Sequence, residues 1–168
     1  YRSPVFNAIV AACAEMGIRW TDDICSPGIE AVGRTQYTVD RRGKRSSAYE
    51  AFLAPVRSRP NLTIVTECMV KRIVIEDGRA VAVECERAGE SVRFDAAGEV
   101  VLSAGVYKSP QLLQLSGIGA GAELASFGIA TLRDAPAVGR NLCDHQKMGI
   151  SFDLTNHPGT NREFLGWR

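Results

Sequence analysis

The chain has few of the residues that most often carry chemistry on their own. It holds two histidines, and its five cysteines include no CxxC pair. Cys13, Cys25, Cys68, Cys85 and Cys143 are widely spaced and odd in number, a pattern that matches neither a zinc site nor a disulfide framework and fits a reducing compartment. A cytoplasmic location is the corresponding expectation. No apolar run approaches the ~20 residues that a membrane-crossing helix needs. The net charge is only +1, so no electrostatic argument favours a nucleic acid partner. The one dense basic stretch, Arg41-Arg42-Gly43-Lys44-Arg45, reads as a solvated turn. The chain also lacks a GxGxxG dinucleotide fingerprint, internal repeats and low-complexity tracts.

What remains is the composition of a folded domain. Hydrophobic residues make up 45% and charged residues 23% of 168 positions, enough for one ordinary core and too apolar for disorder. The chain opens on Tyr1 and closes at Trp167-Arg168, which reads as an internal segment of a longer protein.

Local signals divide the chain into a helical and loop-rich beginning, a β-rich middle and a mixed end. Ser3-Pro4 predicts a helix start, and Val5, Ile9, Cys13 and Met16 form an apolar stripe that stops at Gly17. Residues 20–44 have no sustained period and read as loop. Ser47-x-x-Glu50 is a capping box that predicts a helix through Leu53, limited by Pro55. Strands are expected at 62–66, 69–75, 80–86 and 91–94, with turns at Asp77-Gly78 and Gly89-Glu90. Val100 to Ser103 reads as a short strand covered on both faces. A helix is expected from Ser109-Pro110 to Leu115, another over 123–127 up to Gly128, and a last strand over 149–154.

The stretch from Val100 to Gly119 is the most specific. A buried strand enters Gly105, a helix follows, and Ser116-Gly117 ends it; such junctions let a backbone approach a ligand closely. Gly105, Ser109-Pro110, Leu112-Leu113 and Ser116-Gly117-Ile118-Gly119 resemble the second signature of the glucose–methanol–choline (GMC) flavin oxidoreductases, with Val106 where that family usually has a small residue. The likeness continues through Asp40 to Ala48, Arg59-Pro60-Asn61-Leu62, Val70-x-Arg72-Ile73 and Gly78-Arg79-Ala80. A further block is Val138-Gly139-Arg140-Asn141-Leu142-x-Asp144-His145. It spans roughly residues 1–145. Cys25, Ala82, Ala120 and Cys143 depart from the family's usual residues, which blurs the subfamily and removes no catalytic group.

The resemblance implies a mixed α/β (α+β) fold, part of a GMC-type FAD-binding domain with part of the antiparallel-sheet substrate domain. Its expected division is a substrate-side segment over 1–41, FAD-binding domain over 42–145, and the start of a substrate-domain segment over 146–168. It implies FAD as cofactor and a small-molecule alcohol as substrate, hydride passing to flavin while a histidine base takes the hydroxyl proton. The electron acceptor, oxygen or another, and the oligomeric state stay open. The family's catalytic histidine segment has no counterpart here, so no catalytic or metal-binding residue is assigned.

Cofactor contacts are implied at Val70, whose backbone N–H and C=O would face the adenine edge, and at Ser103, Ala104 and Gly105, the strand end approaching the adenosine half of FAD. The plainer alternatives are a core strand at Val70 and a tight strand-to-helix turn at Gly105. His145 is expected to serve a structural hydrogen bond, and His157 to be solvated in a turn. Two other functional readings stand beside the flavoenzyme. One is a noncatalytic module that kept the fold, and the other is a nicotinamide-dependent dehydrogenase. The signature's lack of GxGxxG spacing counts against the second.

Overall fold

The computed structural model describes residues 4–28, 30–146 and 148–150. They fall into two compact units, one of residues up to 62 together with 148–150, the other of residues 63–146.

In the first unit, α1 (Pro4–Glu15) starts with proline at its first helical position, where a missing N–H costs nothing. Gly17, at φ +78°, ends it, and Ile18 N–H returns to Cys13 O at 2.8 Å. Two residues of β1 (Arg19–Trp20) pair in parallel with β2 (Ala31–Val32). Phe6 meets Trp20 edge to face at 5.9 Å, and the Arg34 guanidinium lies 4.9 Å above the Phe6 ring.

The basic stretch is a tight hairpin. Val39 bridges Arg45, and Asp40 Oδ1 accepts the backbone N–H groups of Arg42 at 2.8 Å and Lys44 at 2.9 Å. The expected helix after Ser47 takes another form. Glu50 N–H does donate to Ser47 Oγ at 3.3 Å, but the turn over Tyr49–Leu53 is π-helical, with Ala54 N–H reaching back to Tyr49 O. It then tightens into a 3-10 turn, Ala54–Val56. Pro55 has no N–H, so the helical ladder loses a donor at this point.

The second unit is built on an antiparallel meander, β3 (Cys68–Glu76), β4 (Arg79–Arg87) and β5 (Glu90–Asp95), in the order β3-β4-β5. Asp77 and Gly78, at φ +51° and +76°, make the expected tight hairpin. The second turn uses Ala88 and Gly89, at φ +52° and +82°, so Glu90 already belongs to β5. Residues 62–66 form no strand: Glu67, at φ +54°, breaks the extended line just before β3 begins. The expected strand at Val100 to Ser103 is also absent, and Val101 is 76% exposed. A strand needs a neighbour to bond, and none flanks this stretch among the described residues.

The helix after it, α2 (Gly105–Leu115), begins four residues earlier than Ser109-Pro110 suggested. Gly105, at φ +86°, supplies the turn, and Ser109 Oγ reaches back to accept Ala104 N–H at 3.1 Å. Pro110 therefore lies inside the helix instead of opening it. After α2, β6 (Ile118–Gly119) pairs in parallel with β7 (Arg133–Asp134), and α3 (Gly121–Ser126) lies between them in sequence. Asp134 Oδ1 accepts Gly121 N–H at 2.9 Å, tying the start of α3 to β7.

The core is small: Ile73, Ala82, Cys85, Leu112 and Leu124, with Ser116 as its buried polar member. No helix among the described residues is long and apolar enough to cross a membrane. Of the strand expected over 149–154, Gly149 and Ile150 are not in a strand, and the remainder, like His157, lies outside the described residues.

Candidate functional site

Val70 lies on β3, an outer strand of the three-stranded sheet, opposite Cys85 of β4. It is half-buried, and the register slips between Val70 and Arg72, a bulge that puts an extra residue into β3. Beyond the bulge one face of the sheet is charged. Arg72 holds Glu84 through two bonds of 2.6 and 3.0 Å, Lys71 meets Glu86 at 2.9 Å, and Arg93 meets Asp95 at 2.8 Å. Arg72's hydrogen bond holds the Glu84 carboxyl below its ordinary value, and Glu84 raises the Arg72 guanidinium in return. The Cys85 thiol is pushed up, first by burial and then by its hydrogen bond with Cys68.

Ser103, Ala104 and Gly105 form an exposed run into α2. No side chain caps the first turn of this helix, and a Cβ placed on Gly105 would meet nothing within 4 Å. Ala104 N–H is taken by Ser109 Oγ, while the space that a side chain at Gly105 would fill is empty, which leaves room for a group to approach the start of the helix.

The two sets of expected contact residues belong to elements that the structure joins elsewhere. Ile73 N–H, three residues beyond Val70, donates to Ser116 Oγ at 2.8 Å, and Ser116 Oγ–H donates to Leu112 O at 2.5 Å. Ser116 is 5% exposed. The sequence marks it as the end of a helix and as part of the family-like signature, but its long-range bond to β3 has no local sign.

A groove of about 550 Å³ runs between one side of α2 and residues 139–143, lined by Val106, Tyr107, Gln111, Gln114, Asn141 and Cys143 among others. Asn141, at φ +59°, and Gly139, at +81°, shape the loop, and Gln114 Nε2 donates to Val138 O at 3.4 Å. Arg140 pairs with Glu123 at 3.0 Å. The loop residues of the second family-like block therefore pack beside the signature helix. At its end, Asp144 Oδ1 accepts the backbone N–H of His145 at 2.7 Å, so this bond runs through the main chain and not the imidazole. No group of three or more His, Cys, Asp or Glu among the described residues is placed to hold a metal ion.

Comparison with known proteins agrees with this layout. The family model described as GMC oxidoreductase matches residues 1–147. The oxygen-dependent choline dehydrogenase of Sinorhizobium fredii is 39% identical over 166 residues, and that of Rhizobium meliloti 42% identical; each alignment covers 99% of this chain. The chain spans 30% of the length of those curated relatives. An FAD-dependent oxidoreductase from Chaetomium thermophilum superposes with a TM-score of 0.78 at 30% identity, over 84% of this chain and 25% of that one. A variant of Aspergillus oryzae formate oxidase gives 0.77 at 36% identity, over 85% and 24%. The residues matched by the family model span both the β3–β5 meander and the signature helix. The chain belongs to the GMC oxidoreductase family.

Proposed function

We propose that this chain is the central part of an FAD-dependent oxidoreductase that oxidises an alcohol by hydride transfer, and that its own share of the work is to hold the cofactor. The observation that carries this is the start of α2. Gly105 is in a left-handed conformation with free space above it, and the first turn has no side-chain cap. A side chain there would fill the space that a group approaching the helix start needs, and would strain the left-handed backbone. FAD, when bound, supplies the hydride acceptor.

The chain's residues divide the binding in this reading. Val70 reads the adenine edge through its backbone, and Ser103, Ala104 and Gly105 take the adjoining part of the adenosine half. The valine side chain contributes packing only. Neither described stretch supplies a general base; that group belongs to a segment that the family carries elsewhere. Choline is the first substrate to test, because the curated relatives bear that name. The formate oxidase neighbours share the frame, so the frame alone does not select the donor.

The test is flavin content in the longer protein that carries this chain, read together with turnover on choline. Val70→Ile should keep flavin near normal, because the backbone is unchanged. Val70→Pro should lower it, since proline removes the N–H donor and disturbs the strand. A folded Val70→Pro protein with full flavin occupancy would overturn the contact assignment. A wild-type protein purified without flavin, and unable to take it up, would overturn the enzyme reading in favour of a noncatalytic module.

A further inference from the structure

We infer that Ser116 is a positioning residue for the cofactor: its buried hydroxyl sets the spacing between the strand that carries Val70 and the helix that begins at Gly105. This rests on the cofactor reading above and names the group that makes its two halves act together. Ser116 uses its hydroxyl twice, accepting from Ile73 N–H at 2.8 Å and donating to Leu112 O at 2.5 Å. The hydroxyl therefore links the outer strand of the sheet to the last turn of α2 with no spare donor.

The link is stiff at both ends. Leu112 O also accepts Ser116 N–H at 3.1 Å, so the hydroxyl sits on a closed helical turn. Immediately after it, Gly117 O accepts Leu132 N–H at 2.8 Å and Arg133 N–H at 3.1 Å. A Cβ at Gly117 would come within 2.6 Å of Ala130 O, so the two stretches of backbone are closely packed there. On the other side, Ile73 is 8% exposed, within a strand paired along its length to β4.

Both implied contact points lie on the elements that lead from this pin, Val70 just past the bulge of β3 and Gly105 at the start of α2. Val70 is three residues along β3 from Ile73, roughly 10 Å at strand rise. Gly105 is at the far end of α2, roughly 16 Å away at helical rise. A small tilt of α2 at Ser116 is therefore magnified at the helix start. Adenine and phosphate are covalently connected, so a ligand spanning both points senses their separation directly. Loss of the hydroxyl should weaken binding of the whole adenosine half, beyond what a general loss of stability would do.

The experiment uses the longer protein stripped of flavin and titrated with ADP, which carries the adenosine half alone, with melting temperature measured in parallel. Ser116→Ala should weaken ADP binding about tenfold, the scale of one buried hydrogen bond. Leu124→Ala removes a buried side chain elsewhere and serves as a control of comparable or greater destabilisation. It should bind ADP as the wild type does. Ser116→Thr, which keeps the hydroxyl, should restore most of the affinity, and Ser116→Cys, with a weaker donor, should fall between. If Ser116→Ala fails to fold, the order of wild type, Thr and Cys variants decides. Wild-type ADP affinity in the Ala variant, or in the Cys variant where Ala does not fold, would reduce Ser116 to a structural bond and overturn the inference. Unchanged ADP binding in Val70→Pro, or none in the wild type, would instead overturn the cofactor reading on which it stands.

Discussion

The two units of this chain are held by different means. In residues 63–146 the specificity is tertiary: Ser116 crosses to Ile73 through a buried bond, and five apolar side chains are buried. Among the described residues of 4–62 none is fully buried, and Tyr37 and Phe52 are 76% and 77% exposed. That unit is shaped by carboxylates serving nearby backbone. Asp23 accepts Cys25 N–H at 2.9 Å and the Ser26 hydroxyl at 2.8 Å, and Asp40 closes its hairpin in the same way. A local hydrogen bond fixes a turn but brings in little apolar surface, so it contributes shape more than stability. The unit with the candidate cofactor contacts is the one with buried, long-range links.

The sharpest way to break that contrast is to remove a buried side chain. Leu124, at 2% exposure, is the most deeply covered large residue of the second unit. Leu124→Ala should cost about 2–5 kcal/mol in a denaturant titration of the longer protein. A cost below about 1 kcal/mol would mean that the small core is not what stabilises this unit.

A pair of glycines sharpens the comparison at the next scale. Gly117 and Gly43 have nearly the same dihedral, φ +83° and +76°. Alanine at either position pays roughly 1–2 kcal/mol for the left-handed conformation. Only Gly117 also faces a carbonyl, with Ala130 O at 2.6 Å from the added Cβ, while Gly43 faces open space. Gly117→Ala should therefore lower the melting temperature clearly more than Gly43→Ala. Equal losses would show that the loop carrying Ala130 yields without cost.

Much of the second unit is legible in the sequence because its signals are local. Asp77-Gly78 can take left-handed angles at both positions, and alternation on either side fixes the hairpin. Gly128 follows its helix for the same reason, as Gly17 does in the first unit. The failures come where a distant partner decides. Val100 to Ser103 has the composition of a buried strand, yet a strand exists only when another lies beside it. Ser109-Pro110 looks like a helix start because serine caps and proline suits the first turn. Here Gly105 has already turned the chain, so the serine caps the approach instead. At the candidate site, resemblance points to Gly105 and Val70. Ser116 reads as punctuation at a helix end, because nothing near it in sequence reveals Ile73 as its partner.

The smallest expected effects come from two carboxylates, one in each unit, that are both held below their ordinary pKa. Glu84 is lowered first by its hydrogen bond from Arg72, and Asp23 first by the Ser26 hydroxyl and then by Cys25 N–H. A carboxyl whose folded value is depressed adds stability that is fully present above its unfolded value. That stability is lost as pH falls through the folded one. Glu84→Gln and Asp23→Asn should thus each melt slightly below wild type near neutral pH, and the gap should close in acid. Asp23 is exposed and Glu84 half-buried but still in reach of water, so the shifts should be minor. Salt separates them. Glu84 faces a cation, and its contribution should shrink as ionic strength rises. Asp23 is held by neutral donors, and its contribution should persist. A salt-sensitive gap at Asp23, or a salt-insensitive one at Glu84, would show that the first unit relies on charge and the sheet on hydrogen-bond geometry, the reverse of what the contacts indicate.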